Sequence, residues 1–221
     1  MKTLGCLHAH YSNINYLEKA LEEYPIALHH FVDPGLMIRI KNDPNLTHEE
    51  AKRKVLEQID WIAASEVDAI VITCTNYIAI LDDASKWSIP IIKIDEPFFK
   101  AFSQLPSPRT LIFTNHETVD GTTKRLNHYL HQNNKSNNYS IKLIPKAFGY
   151  LMDGNIDVHN EIVVKKLTEL KSNHPDYLAL AQLSMVEAGK STNEGILNPL
   201  DPLIEEILTQ LHISNLNESV T

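Results

Sequence analysis

The segment Asp68–Thr73, DAIVIT, constrains this chain more than any other. Its four central residues are all apolar and three of them are β-branched, so the run offers no polar face. Such a strand is buried on both sides, as central strands of parallel sheets are. Parallel strands need crossover connections, usually helices. The rest of the sequence supplies them, because short apolar runs alternate with longer amphipathic stretches. Strands are expected at Thr3–Leu7, Ile26–Phe31, Asp68–Thr73 and Ile89–Ile94, then again at Thr110–Phe113, Ile141–Ile144 and Tyr177–Ala181. Helices are expected at Asn13–Glu23, Thr47–Ala64, Tyr77–Trp87, Glu96–Phe102, Val119–Gln132, Asn155–Lys171 and Pro202–Leu211. Thr47 with Glu50 three residues on is a capping-box pattern. Asp33-Pro34-Gly35 reads as a turn, Ser191–Asn198 as a loop or short strand, and Ser214–Thr221 as a frayed tail.

The pattern runs once to Glu96 and then starts again. The expected architecture is therefore α/β, with two pseudo-symmetric parallel-sheet domains and the active site between them. Residues 1–96 plus 193–221 form the first domain and 97–192 the second, with Gln104–Arg109 as the crossing. In open α/β sheets, ligands sit beyond the carboxyl ends of the strands. Those ends are His8–Ser12, Asp33–Gly35, Cys74–Asn76, Thr114–Thr118 and Gln182–Ser184.

Composition removes several function classes. The 221 residues carry 20 Lys and Arg against 28 Asp and Glu, a formal net charge of −8 without a basic block. Nucleic-acid binding, which needs cations to displace counterions, is not expected. The N-terminal MKTLGCLHAH reaches polar residues too early for a signal peptide, and no apolar run approaches a membrane span. With two cysteines there is no disulfide framework, so a reducing, cytoplasmic setting with free thiols is expected. Seven glycines and no phosphate-binding loop argue against a nucleotide. No cofactor and no metal is expected. The expected partners are a small carboxylate-bearing ligand and, in a homo-oligomer, a second copy of the chain.

Cys74 is the sharpest chemical signal. It ends the buried strand and begins a helix, where free N–H groups and the helix dipole lower a thiol pKa. A thiolate there takes a proton from carbon or attacks an electrophile. Cys6, inside the first strand, is expected to be inert. His8, at the end of that strand, is the expected partner of Cys74. His10 and Ser12 follow as ligand donors, with Tyr11 between them. Thr75 and Asn76 open the helix after Cys74. Thr114, His116 and Thr118 lie at the mouth of the second half, with Gln182 and Ser184 as neutral donors opposite. An alternative places a metal on His8 and His10, with His29, His30 and Asp33 nearby, as in metal-dependent hydrolases.

The run Thr73-Cys74-Thr75-Asn76 resembles the cysteine motif of the aspartate/glutamate racemase superfamily, which includes glutamate and hydantoin racemases, maleate isomerase and arylmalonate decarboxylase. Other segments agree in order. Leu4-Gly5-Cys6-Leu7-His8 resembles the first strand, with His8 where glutamate racemases carry Asp. Ile94-Asp95-Glu96-Pro97 resembles the step that closes the first half. Thr114–Thr122 resembles the threonine-rich substrate loop of hydantoin racemase-like members, with Glu117 departing from the family's Thr. Gly195–Leu200 resembles the return to the first domain. One departure matters more: Gln182 falls where two-base racemases carry a second cysteine. The resemblance implies a cofactor-independent isomerase, racemase-like enzyme or lyase acting on a small carboxylic or amino acid, with Cys74 as acid/base or nucleophile and His8 beside it. The alternatives are a non-catalytic small-molecule-binding member, or the metal-dependent hydrolase.

Overall fold

A computed structural model describes residues 1–81, 87–173, 176–193 and 195–214. The chain divides into two compact units, one of residues 1–96 with the chain from Leu203 on, the other of Pro97–Pro202.

The first unit opens with strand β1 (Lys2–His8), helix α1 (Ile14–Leu21) and strand β2 (Ile26–Val32). Helices α2 (Pro34–Asn42) and α3 (His48–Ala63) follow, then β3 (Ala69–Ile72), α4 (Thr75–Ile80) and β4 (Ile91–Lys93). The sheet is parallel throughout, in the order β2-β1-β3-β4. All four residues of β3 are fully buried, as its unbroken apolar run requires. Strand alternation gives β1 two faces. Gly5 turns toward α3, where a Cβ would come within 2.5 Å of the Ile62 side chain. Cys6 and His8 lie on the opposite face, which α1 covers: Asn13, just before α1, reaches Thr73, and Glu18 reaches His30.

The capping box of α3 is present in full, with the Thr47 hydroxyl accepting from the Glu50 amide and Glu50 accepting from the Thr47 amide. Asp33-Pro34-Gly35 begins a helix rather than a simple turn. Asp33 accepts from the amides of Gly35 and Leu36, and Pro34 sits in the first turn, where its missing N–H costs nothing. Of the helix expected at Tyr77–Trp87, α4 accounts for the beginning, and residues 82–86 lie outside the described residues.

Helix α5 (Asp95–Gln104) leads into the second unit. There β5 (Arg109–Phe113), α6 (Val119–Gln132), β6 (Ser140–Leu143), α7 (Ala147–Met152), α8 (Ile156–Asn173), β7 (Tyr177–Leu180) and α9 (Val186–Ser191) follow, and α10 (Leu200–Gln210) starts in this unit and runs on as part of the first. Its parallel sheet has the order β6-β5-β7. Leu111 and Phe113 enter a core with Phe98, Phe102, Leu126 and Leu130. Ile112, one residue out of phase, enters the other core with Val163, Leu167, Leu180 and Met185. Leu197 adds a single parallel bridge to Ala179, beyond β7. The backbone bonds Leu180 N to Leu197 O and Leu197 N to Leu178 O hold that segment in the second unit. The return to the first unit therefore starts at Leu203, not at residue 193. Of the tail expected at Ser214–Thr221, residues 215–221 lie outside the described residues. Among the described residues, no helix is long and apolar enough to cross a membrane.

Candidate active site

Cys74 stands directly after β3, as the residue preceding α4, with an extended backbone (φ −98°, ψ 109°). The side chain is partly exposed. The amides of Tyr77 and Asn76 face the sulfur and lower its pKa, although neither closes a full capping hydrogen bond. They do not prevail. Desolvation is the larger effect and pushes the thiol up to about 11. The low-pKa thiol expected from the strand-to-helix position is thus not found: α4 is one short helix of six residues, and packing around the sulfur outweighs it. Cys6 is fully buried, and desolvation followed by the charge of Glu18 pushes its thiol up to about 12. Both thiols are free.

His8 is buried at the end of β1, and both of its ring nitrogens have partners. Nδ1 is 2.8 Å from Thr73 Oγ1, and Nε2 is 2.9 Å from His30 Nδ1. His8 is expected from the sequence as the partner of Cys74, and its two ring nitrogens are taken up by these contacts. His8 meets the residue before Cys74 instead of the thiol. Burial, and then the neighbouring His30, lower the His8 pKa to about 4.

The remaining sequence candidates fall into local arrangements. His10 Nδ1 accepts from the Ser12 amide at 3.2 Å and pairs with the Ser12 hydroxyl at 2.8 Å, while its ring stacks on Tyr11. Thr75 and Asn76 are half-buried in the first turn of α4. His29 is exposed, and Asp33 is occupied by the start of α2 and by the Gln58 side chain. Of the ligand set of the hydrolase alternative, His8 and His30 come together, and His10, His29 and Asp33 are not grouped with them.

In the second unit, Gln182 Oε1 accepts from the Thr114 amide (2.7 Å), the Thr114 hydroxyl (3.0 Å) and the Asn115 amide (3.0 Å). Gln182 is a clasp between the ends of β5 and β7. Asn115 Oδ1 accepts from the Glu117 amide, and the Thr118 hydroxyl donates to the Asn115 carbonyl. Thr118 precedes α6 without capping it through its side chain. His116 is exposed, and Ser184 is half-buried in the turn after Gln182. As site residues, Asn13, Glu18 and Asn115 go unnoticed in the sequence; His30 enters it only through the metal alternative, and Thr73 only as part of the cysteine motif.

No family model and no curated protein matches this chain. Solved structures do. Picrophilus torridus aspartate racemase matches with a TM-score of 0.76 at 13% identity, covering 99% of this chain and 97% of that one. It has the racemase fold. A glutamate racemase from Bacillus anthracis (TM-score 0.68, 17% identity, 96% and 82% covered) and allantoin racemase from Klebsiella pneumoniae (0.66, 16%, 99% and 92%) agree. In the racemase fold as this chain builds it, Cys74 and Gln182 end corresponding strands of the two sheets, β3 and β7.

Proposed function

We propose that this protein is a cofactor-independent isomerase or lyase that moves a proton at the carbon beside a carboxylate, with Cys74 as the proton-transfer group. The observation that carries the reading is the placement of Cys74 at the carboxyl end of a buried parallel strand, with two backbone amides turned toward its sulfur. A thiol with a pKa pushed up to about 11 is protonated at neutral pH, so its first act is to donate. A carbanion formed beside the carboxylate, for instance by loss of carbon dioxide, takes the thiol proton and forms the new C–H bond. The thiolate left behind faces the Asn76 and Tyr77 amides and recovers its proton from solvent.

Gln182 supports one-sided chemistry. An amide neither takes up nor releases a proton at useful pH. Its oxygen is also committed to three donors. Small carboxylic and amino acids are the substrate class, by likeness to structures named as aspartate, glutamate and allantoin racemases. The test is chiral chromatography of a panel of such acids after incubation with the protein. Turnover that yields one enantiomer supports the reading, and rapid interconversion of enantiomers contradicts it. A non-catalytic binding role is the second reading, favoured by the raised Cys74 pKa. It predicts that Cys74→Ser keeps ligand affinity and that no turnover is found.

A further inference from the structure

The polar cluster beneath α1 is not used by this chemistry. Cys6 pairs directly across from His30 in the β1–β2 register, and His8 lies two residues further along the same face of β1. One ligand atom from each of the three residues lies within 4.8 Å of the others. Cys6 and His8 are fully buried and His30 is partly so, which leaves a route in from the His30 side.

The contacts show which nitrogens face one another. Thr73 Oγ1 accepts from Asn13 Nδ2 at 3.1 Å and donates to the Leu7 carbonyl at 3.4 Å. Thr73 Oγ1 also meets His8 Nδ1 at 2.8 Å, a contact in which the imidazole donates in one tautomer and accepts in the other. His30 Nε2 lies 3.2 Å from Glu18 Oε1, and a carboxylate accepts. His8 Nε2 and His30 Nδ1 face each other at 2.9 Å. In the tautomers whose outer nitrogens donate, these two inner nitrogens present lone pairs that one cation between them satisfies.

We propose that His8 Nε2, His30 Nδ1 and Cys6 Sγ bind one divalent cation of borderline softness, zinc first among them. Two imidazoles and a thiolate are the donor types zinc prefers. Bonds of about 2.0 Å to nitrogen and 2.3 Å to sulfur place tetrahedral donors about 3.3–3.6 Å apart. The side chains reach this from 2.9 Å and from within 4.8 Å by small rotations. Each ligating imidazole already has its second nitrogen held by an acceptor, the arrangement that orients metal-bound histidines. Charge balances as well, since the cation faces the Cys6 thiolate and the Glu18 carboxylate. On binding, the Cys6 S–H bond breaks, the S–metal bond forms and the proton leaves to solvent. Three protein ligands leave a fourth position for water. Because His8 then holds Thr73 as a fixed donor, the bound ion stiffens the turn that carries Cys74.

The test titrates chelator-treated full-length protein with Co²⁺ and Zn²⁺, reading the cobalt–thiolate absorption band, the stoichiometry and the thermal midpoint. One ion per chain is expected, with a thiolate band that Zn²⁺ abolishes and a raised midpoint. Cys6→Ala is expected to remove the band, and His30→Gln to weaken binding at least tenfold. Glu18→Gln is expected to weaken it about 10–100-fold, as loss of an orienting partner does. His29→Gln, on the opposite face of the same strand, is expected to bind as the unmodified protein does. Circular dichroism of each variant checks folding, and the partly exposed His30 and Glu18 positions keep the test open where Cys6→Ala fails to fold. Absence of the band in the unmodified protein overturns the proposal and leaves an ordinary hydrogen bond between the two histidines. So does binding that His30→Gln leaves unchanged.

Discussion

The Gln182 side-chain oxygen lies 2.7 Å from the Thr114 backbone nitrogen and also takes up the Asn115 amide and the Thr114 hydroxyl. One acceptor thus satisfies three donors at the carboxyl ends of two strands. Gln182→Leu leaves two largely buried amides unpaired, and unmade hydrogen bonds of this kind cost about 1–3 kcal/mol each. Urea denaturation is expected to show a loss of about 2–6 kcal/mol for Gln182→Leu. Gln182→Glu, whose carboxylate still accepts all three, is expected to stay close to the unmodified protein at neutral pH. Equal stability of all three proteins contradicts the clasp.

Cys74 gives a pH-dependent prediction whose sign is set by burial. Only the thiolate reacts with iodoacetamide, and a pKa near 11 leaves roughly one thiolate in 10,000 at pH 7. Labelling mapped by mass spectrometry is expected to be slow at pH 7 and to rise about tenfold per pH unit toward pH 10. Cys6, fully buried and with its thiol pushed up to about 12, is expected to label later still. A labelling rate that levels off below pH 8 contradicts the dominance of desolvation at Cys74.

Gly5 is the close approach between β1 and α3. A Cβ there meets Ile62 Cγ2 at 2.5 Å and Val67 at 3.4 Å. Gly5→Ala is expected to destabilise by about 1–3 kcal/mol, the usual cost of overpacking. Ile62→Ala on that background removes the crowding Cγ2, and the double variant is expected to lose less than the sum of the two single losses. Thermal melts of the single and double variants check both.

What the sequence makes legible follows from how local each signal is. DAIVIT declares a buried parallel strand because six residues suffice to rule out a polar face. The Thr47–Glu50 box marks the start of α3 because both partners lie within one turn. Asp33-Pro34-Gly35 is ambiguous by nature, since the same residues close a turn and start a helix, and α2 behind it has only a weakly amphipathic pattern. Cys74 is legible in position and illegible in charge, because the protein that desolvates its sulfur is distant in sequence. The His8–His30 contact depends on the register of β1 against β2, a tertiary property with no local code. The resemblance sets Gln182 where two-base racemases carry a cysteine, whereas its clasp on Thr114 and Asn115 spans 68 and 67 positions of chain.

The most direct test of Cys74 as the proton-transfer group follows solvent deuterium. Aspartate, glutamate, a hydantoin and a panel of other small carboxylic acids are incubated with the protein in deuterated water and read by proton NMR at the carbon beside the carboxylate. The unmodified protein is expected to place deuterium at that carbon in at least one of them. Cys74→Ser is expected to lower the rate by about 10²–10⁴-fold, the contribution of one proton-transfer group. Undiminished exchange in Cys74→Ser, or no exchange by the unmodified protein with any acid, contradicts the account.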